Sequence, residues 1–248
     1  GAYKIVDQWP INKRGLKYDR EWMIVQSNGV CLTQKINTKL CLIRPRIDLK
    51  NQFLELNFPK KKSIKLPLKP PSISLLNKND DQLVEQYNVE LCQSKVCGDR
   101  IIGWDCGLAI SDWLSSVLEI PGLRLIRQRS NDLRIRKSKM VAANNDEIDL
   151  LNKQMKDQSI SLANQAQYLL INATSVDWLI KKVDDWITND NDDNDDNTKT
   201  YNLLNTIDRF RGNFIIETLE PLIELNWTKL RLGKYLNLMV QGPCTRCQ

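Results

Sequence analysis

Asn28-Gly29 stands between two apolar runs, Trp22-Met23-Ile24-Val25 and Val30-Cys31-Leu32, and this pair narrows the possible folds more than any other feature of the chain. Asn and Gly tolerate the backbone conformations of a tight reversal, so an Asn-Gly step flanked by apolar residues reads as a β-hairpin. The pattern then continues. Leu40-Cys41-Leu42-Ile43, Phe53-Leu54-Glu55-Leu56-Asn57-Phe58 and Ile64-Lys65-Leu66-Pro67-Leu68 are short apolar stretches with partial period-two alternation, the spacing of strands with one buried face. Proline has no amide hydrogen to give to a ladder, so Pro67, Pro70 and Pro71 put the last of these at a sheet edge or end it. Tyr87 to Cys92 alternates again, and the N-terminal part of the chain is expected to be mainly strand.

Helical spacing appears twice. Ile110, Trp113, Leu114, Val117 and Leu118 follow the i, i+3, i+4, i+7, i+8 rule of an amphipathic helix, with Asp105 as its expected N-cap and Pro121-Gly122 as its stop. Thr174-Ser175-Val176-Asp177 has the form of a capping box, with Asp for the usual Glu, ahead of Val176, Leu179, Ile180 and Val183 on one face. Tyr168 to Ile171, Asn213 to Ile216 and Leu236 to Val240 read as further strands. Strands and helices do not alternate as regular βαβ units. The expected fold class is α+β: mostly antiparallel, barrel-like sheets with two or more amphipathic helices.

The chemistry open to the chain is bounded by a missing residue type. None of the 248 residues is histidine, which excludes Ser-His-Asp and Cys-His catalysis and imidazole metal sites. Seven cysteines, an odd number scattered without a dense framework, fit free thiols in a reducing compartment. No apolar run has the length of a bilayer span and no charged leader opens the sequence, so the expected setting is cytoplasmic, without a membrane partner. The opening GAYKIVDQWPIN has no initiator methionine and reads as the start of a fragment.

The formal charge of +6 suggests an anionic partner, but it is unevenly spread. Arg124 to Lys139 holds seven cations, and Asp184 to Asp196 holds seven aspartates. Both stretches read as solvated, disordered loops, since neither buries enough apolar surface to offset its ordering entropy.

The last residues, Gly242-Pro243-Cys244-Thr245-Arg246-Cys247-Gln248, place two thiols and a guanidinium within one turn. Three readings of Cys-x-x-Cys stay open, ranked in this order on the motif alone. The cysteines are two small buried apolar residues, or half of a zinc site with Cys92 and Cys97, or a functional pair in which Cys247 is a thiolate beside the positive charge of Arg246 and the Thr245 hydroxyl.

Eight segments in order, GLKYDREWMIV, NGVCLTQK, LCLIRPRIDL, WDCG, SDWLSS, NQAQYLLIN, FRGNFII and GPCTRCQ, resemble the MOSC domain with its N-terminal β-barrel partner, in the version at the C-terminus of molybdenum cofactor sulfurases. The resemblance implies a MOSC N-terminal β-barrel domain over residues 1–122, a basic flexible linker over 123–160, and a MOSC domain over 161–248 with an acidic disordered loop at 188–200. It also implies a Pro-Ile-Lys-Ser-Cys stretch ahead of the first residue and more barrel after the last.

The implied ligand is the molybdenum cofactor, a pterin dithiolene with a terminal phosphate. By resemblance Cys247 is the metal ligand and catalytic residue, and Arg20, Arg211, Asn213, Thr245, Arg246 and Cys247 are cofactor-binding. A planar guanidinium fork suits a phosphate, and an amide that both donates and accepts suits a pterin edge. The implied reaction is a sulfurtransferase step. The chain holds the cofactor while persulfide sulfur arrives from a cysteine desulfurase domain of the same polypeptide, which carries pyridoxal phosphate and lies outside these residues. Xanthine dehydrogenase and aldehyde oxidase are the implied recipients.

Two alternatives stand beside this reading. One is a molybdenum-dependent reductase of N-hydroxylated compounds, of the amidoxime-reducing type. The other is a nucleic-acid module using Arg124 to Lys139, but that stretch has no interleaved aromatics and no groove-reading motif, so no nucleic-acid partner is expected.

Overall fold

Leu54 and Leu56 are almost wholly buried while their neighbours along the strand are not, and this alternation seats the middle strand of an antiparallel meander. A computed structural model of the chain describes residues 8–69, 94–96, 99–101, 103–129, 159–163, 166–183 and 196–244. The chain divides into two compact units, Gly1–Gln167 and Tyr168–Gln248.

In the first unit β1 (Ile11–Asn12) and β2 (Gly15–Leu16) form a short hairpin, while β4 (Arg44–Asp48), β5 (Phe53–Phe58) and β6 (Lys61–Pro67) form the meander in that order. β6 lies at the sheet edge and ends at Pro67, as a residue without an amide hydrogen requires. β7 (Ser94–Val96) pairs with β8 (Asp99–Ile101). The third sheet has β10 (Arg124–Gln128) at its centre, antiparallel to both β3 (Trp22–Val25) and β9 (Gly103–Asp105). Helix α1 (Leu108–Leu118) links β9 to β10 and buries Ile110, Leu114, Val117 and Leu118 in one apolar cluster with Tyr18, Leu32, Leu54, Leu66, Leu68 and Leu123. The expected spacing therefore marks the face that packs.

The Asn28-Gly29 reversal follows β3. The Gly29 amide closes a turn on the Gln26 carbonyl at 2.8 Å, and the Gln26 amide reaches Val30 O at 2.9 Å. Gly29 takes the left-handed value, φ 76°, so the loop has three residues with glycine at the bulge.

Several local expectations are corrected. Leu40 to Ile43 is not a strand: Thr38–Leu42 is a 3₁₀ turn, because the Asn37 side chain accepts the Lys39 amide at 2.9 Å and only Leu40 is buried. Asp105 does not cap α1. Gly107 does, at φ 94°, while Asp105 accepts the Gly107 amide at 2.8 Å and binds Arg124 at 2.6 Å. The Arg124 end of the basic stretch is not a solvated loop but the central strand β10, because Leu125 and Ile126 are buried and its cations find partners. Lastly, residues 196–200, assigned to the acidic loop, are the first turns of a helix. The Tyr87 to Cys92 strand, the rest of the basic stretch from Ser130 and the acidic run as far as 195 lie outside the described residues.

The second unit starts with β11 (Leu170–Asn172), which pairs in parallel with β12 (Phe214–Ile216) across helices α2 (Ala173–Ile180) and α3 (Asp196–Phe210). A parallel pair needs such a crossover. The cap of α2 is Asn172 rather than Thr174, whose hydroxyl instead donates to Thr218 O at 2.7 Å. β13 (Lys229–Leu232) and β14 (Leu236–Met239) form a hairpin. Among the described residues the other pairings are antiparallel, so the mixed α and β content and the mostly antiparallel sheets are as expected.

Candidate functional site

Arg20 sits in a turn that few sequences would choose. Tyr18 and Arg20 both have left-handed backbone, φ 71° and 51°, a region that non-glycine residues occupy at a cost of roughly 1 kcal/mol or more each. The turn persists because its neighbours hold it from several sides. The Tyr18 amide donates to Glu21 Oε1 at 2.8 Å, the Gln128 amide to Glu21 O at 2.8 Å, and the Leu162 amide to Arg20 O at 2.9 Å. The Arg20 guanidinium is partly exposed and pairs with the Asp19 carboxylate.

Arg127, on the central strand β10, lies across from Trp22 on one side and Trp104 on the other. Its guanidinium stacks 4.7 Å from the Trp22 ring centre and 5.6 Å from that of Tyr18, and donates to Glu21 Oε2 at 3.1 Å and to the Leu68 carbonyl. Nothing in the spacing of the sequence marked Arg127 or Glu21. The signal was the cation's place in an apolar run, Leu125-Ile126-Arg127, where a buried strand cation needs a partner.

Cys106, in the Trp-Asp-Cys-Gly stretch, is a quiet thiol. Burial pushes its pKa up to about 12, and the neighbouring Asp105 carboxylate adds to the rise, against the opposing pull of Arg127 and Trp22. A thiol held in its neutral form has little thiolate at neutral pH, so its nucleophilic reactivity is low.

In the second unit, Arg211 follows the C-terminus of α3 with φ 55°, and its amide closes the last turn on Asp208 O at 3.2 Å. Gly212 comes next because there is no room for more. A Cβ there would stand 2.4 Å from Ile171 Cγ1. Asn213 bridges to the start of β11: its amide donates to Leu169 O at 2.6 Å, and its Oδ1 accepts the Leu169 amide at 2.9 Å. The Asn213 carboxamide is thereby oriented by backbone, with its oxygen engaged, and the Arg211 side chain is exposed.

The structure thus places Arg20 in the first unit and Arg211 and Asn213 together in the second, two residues apart. Cys244 is exposed at the end of the described chain. Thr245, Arg246 and Cys247 lie outside the described residues, as do Cys92 and Cys97 of the zinc alternative. Among the described residues no group of three His, Cys, Asp or Glu could hold a metal ion. Within the second unit, Arg211 and Asn213 bring a guanidinium and an oriented carboxamide close together in the chain, groups that can donate to anionic or polar ligand atoms.

Comparison with known proteins also finds two regions, with Arg20 in the first and Arg211 and Asn213 in the second. The family described as "MOSC N-terminal beta barrel domain" matches residues 4–121, and that described as "MOSC domain" matches residues 157–248. The chain belongs to the MOSC family, with the two domains in tandem. Among curated proteins it is similar over its whole length to molybdenum cofactor sulfurases. It is 45% identical to that of Bombyx mori, 41% to molybdenum cofactor sulfurase 3 of Aedes aegypti, and, over 98% of the chain, 37% to that of Danio rerio. The chain spans about a quarter of these relatives: 26%, 28% and 26% of their lengths.

Proposed function

We propose that this chain is the molybdenum cofactor-binding part of a molybdenum cofactor sulfurase. The observation that carries the reading is similarity to sulfurases over the whole chain, 45% identity across 248 residues with that of Bombyx mori. Arg211 supplies a bidentate donor for the phosphate, Asn213 an amide for the pterin edge, and Arg20 a second cationic contact. Thr245 and Arg246 stand beside the metal and Cys247 is its soft thiolate ligand. The bound cofactor supplies the molybdenum centre that takes up sulfur.

The residues of this chain hold and orient it while a pyridoxal-phosphate-dependent cysteine desulfurase domain of the same polypeptide delivers persulfide sulfur. Xanthine dehydrogenase and aldehyde oxidase are the proposed recipients, and cytoplasm the proposed compartment. Among the described residues no helix is long and apolar enough to cross a membrane.

Among the described residues of the basic stretch, the three arginines have partners within the protein, which does not favour a nucleic-acid partner for them. Arg124 is paired with Asp105 at 2.5 Å, Arg127 with Glu21 at 3.1 Å, and Arg129 stacks 4.4 Å from the Trp104 ring, so these cations are engaged inside the fold.

The test separates Cys247 from Cys244 in the full-length protein. Serine keeps the size but is a hard, poorly ionised ligand, so Cys247→Ser loses bound molybdenum and reactivation of a desulfo target enzyme, while Cys244→Ser is milder. Equal losses in the two, with stoichiometric zinc in the parent, overturn the reading in favour of a structural metal site.

A further inference from the structure

Arg20 is read as a cofactor contact under Proposed function, and the bond inside its turn, from the Tyr18 amide to Glu21 Oε1, holds only as well as the Glu21 carboxylate is itself fixed. The restraint comes from a partner distant in sequence. Glu21 and Arg127 side chains are only 13% and 14% exposed, and the carboxylate uses both oxygens: Oε1 on the Tyr18 amide, Oε2 on Arg127 Nη2. Arg127 in turn is fixed by the Leu68 carbonyl and by the Tyr18 and Trp22 rings. One ion pair therefore bolts both ends of the Tyr18–Glu21 turn to the middle strand of a sheet. Left-handed residues that are not glycine survive where surroundings over-determine them, and such strain gathers at ligand contacts.

We propose that the Glu21–Arg127 pair is a positioning device for Arg20, presetting the backbone turn from which its guanidinium, paired with Asp19 in the structure, meets the anionic ligand. This rests on the reading of Arg20 as a cofactor contact. Glu21 and Arg127 do not touch the ligand in this scheme. They act through Arg20, and binding without the pair has to order the turn at the ligand's expense.

A double-mutant cycle in the full-length protein tests this, with molybdenum cofactor released from a donor molybdoenzyme as the probe. Retained pterin is read by fluorescence after oxidation, and a thermal melt is recorded for each variant. Arg127→Lys keeps the charge but loses the planar fork that reaches Glu21 and Leu68 O from two nitrogens and stacks on the Tyr18 and Trp22 rings, so it weakens binding about tenfold in the parent. In the Arg20→Ala background the same change weakens binding less than about twofold, because the residue through which it acts is gone. An equal loss in both backgrounds overturns the proposal, as a loss of general stability is additive. Parent-like binding by Arg127→Lys, with Arg20→Ala weak, also overturns it while leaving Arg20 a contact. Parent-like binding by Arg20→Ala overturns the assignment of Arg20 itself. Where Arg127→Lys fails to fold, the cycle is run on Glu21→Gln, which keeps volume and an acceptor oxygen but removes the charge, with the same outcomes deciding.

Discussion

At the scale of single residues, side chains of one type have opposite fates according to burial and neighbours. Arg211 is exposed beyond a helix end, whereas Arg127 is sealed between aromatic rings. If Arg211 holds the phosphate, Arg211→Lys keeps the charge and loses the fork. Cofactor retention should then fall about tenfold with an unchanged melting temperature, measured as pterin per protein after gel filtration. Unchanged retention removes Arg211 from the site. Cys106 makes a prediction of the opposite kind, about protonation. An unperturbed thiol ionises near 9.0 and Cys106 near 12, so the folded state prefers the neutral form. That preference costs nothing below pH 9.0, where both states keep the proton. Above it the unfolded chain alone releases the proton, and stability falls as pH rises toward 12. Between pH 8 and pH 10.5 the stability difference between the parent and Cys106→Ala should therefore shift by about 2 kcal/mol against the parent, read from urea unfolding at each pH. No shift would mean that the thiol is less buried than described.

At the scale of elements, sequence patterns gave good strands and helices where burial is one-sided, and failed where a partner far along the chain decides. Phe53–Phe58 and Leu108–Leu118 were legible because one face is apolar and the other is not. Arg124–Gln128 was hidden, since its cations look solvated until Asp105 and Glu21 are seen beside Arg124 and Arg127. The Asn172 cap was masked by the Thr174-Ser175 pair, whose hydroxyls are taken by Thr218 and Glu224. Of the site, Arg211 and Asn213 came from resemblance, while the role of Glu21 is visible only in three dimensions. The same sheet offers a sharp stability test at Gly103 in β9. A Cβ there would stand 2.2 Å from Ile126 Cγ2 and 3.0 Å from the Arg127 carbonyl, and neither atom lies at the end of a flexible chain. Gly103→Ala should destabilise by about 1–3 kcal/mol through overpacking, seen as a lower urea midpoint. A neutral result would show that β9 and β10 separate more readily than their pairing indicates.

At the scale of the whole molecule, family boundaries and packing boundaries fall in different places. The MOSC match begins at residue 157, but the first compact unit runs to Gln167. The residues in dispute are not incidental to that unit. Ile160 is 1% exposed, its carbonyl accepts from Gln128 Nε2 at 3.1 Å, and Ser159 Oγ accepts from the buried Arg14 at 3.0 Å. Leu162 supplies the amide that closes on Arg20 O. A piece of the second family region thus completes the first unit and helps to hold its proposed ligand arginine. Burial of one isoleucine stabilises by about 2–3 kcal/mol, and leaving Arg14 and Gln128 with lost partners adds a further 1–3 kcal/mol each. A fragment of residues 1–167 should therefore unfold at a clearly higher urea concentration than one ending at 158, followed by the fluorescence of its four tryptophans, of which Trp22 and Trp104 pair with β10. If the two midpoints coincide, the segment only lies along the unit, and the Arg20 turn is held without it, by Glu21, Arg127 and the Gln128 amide.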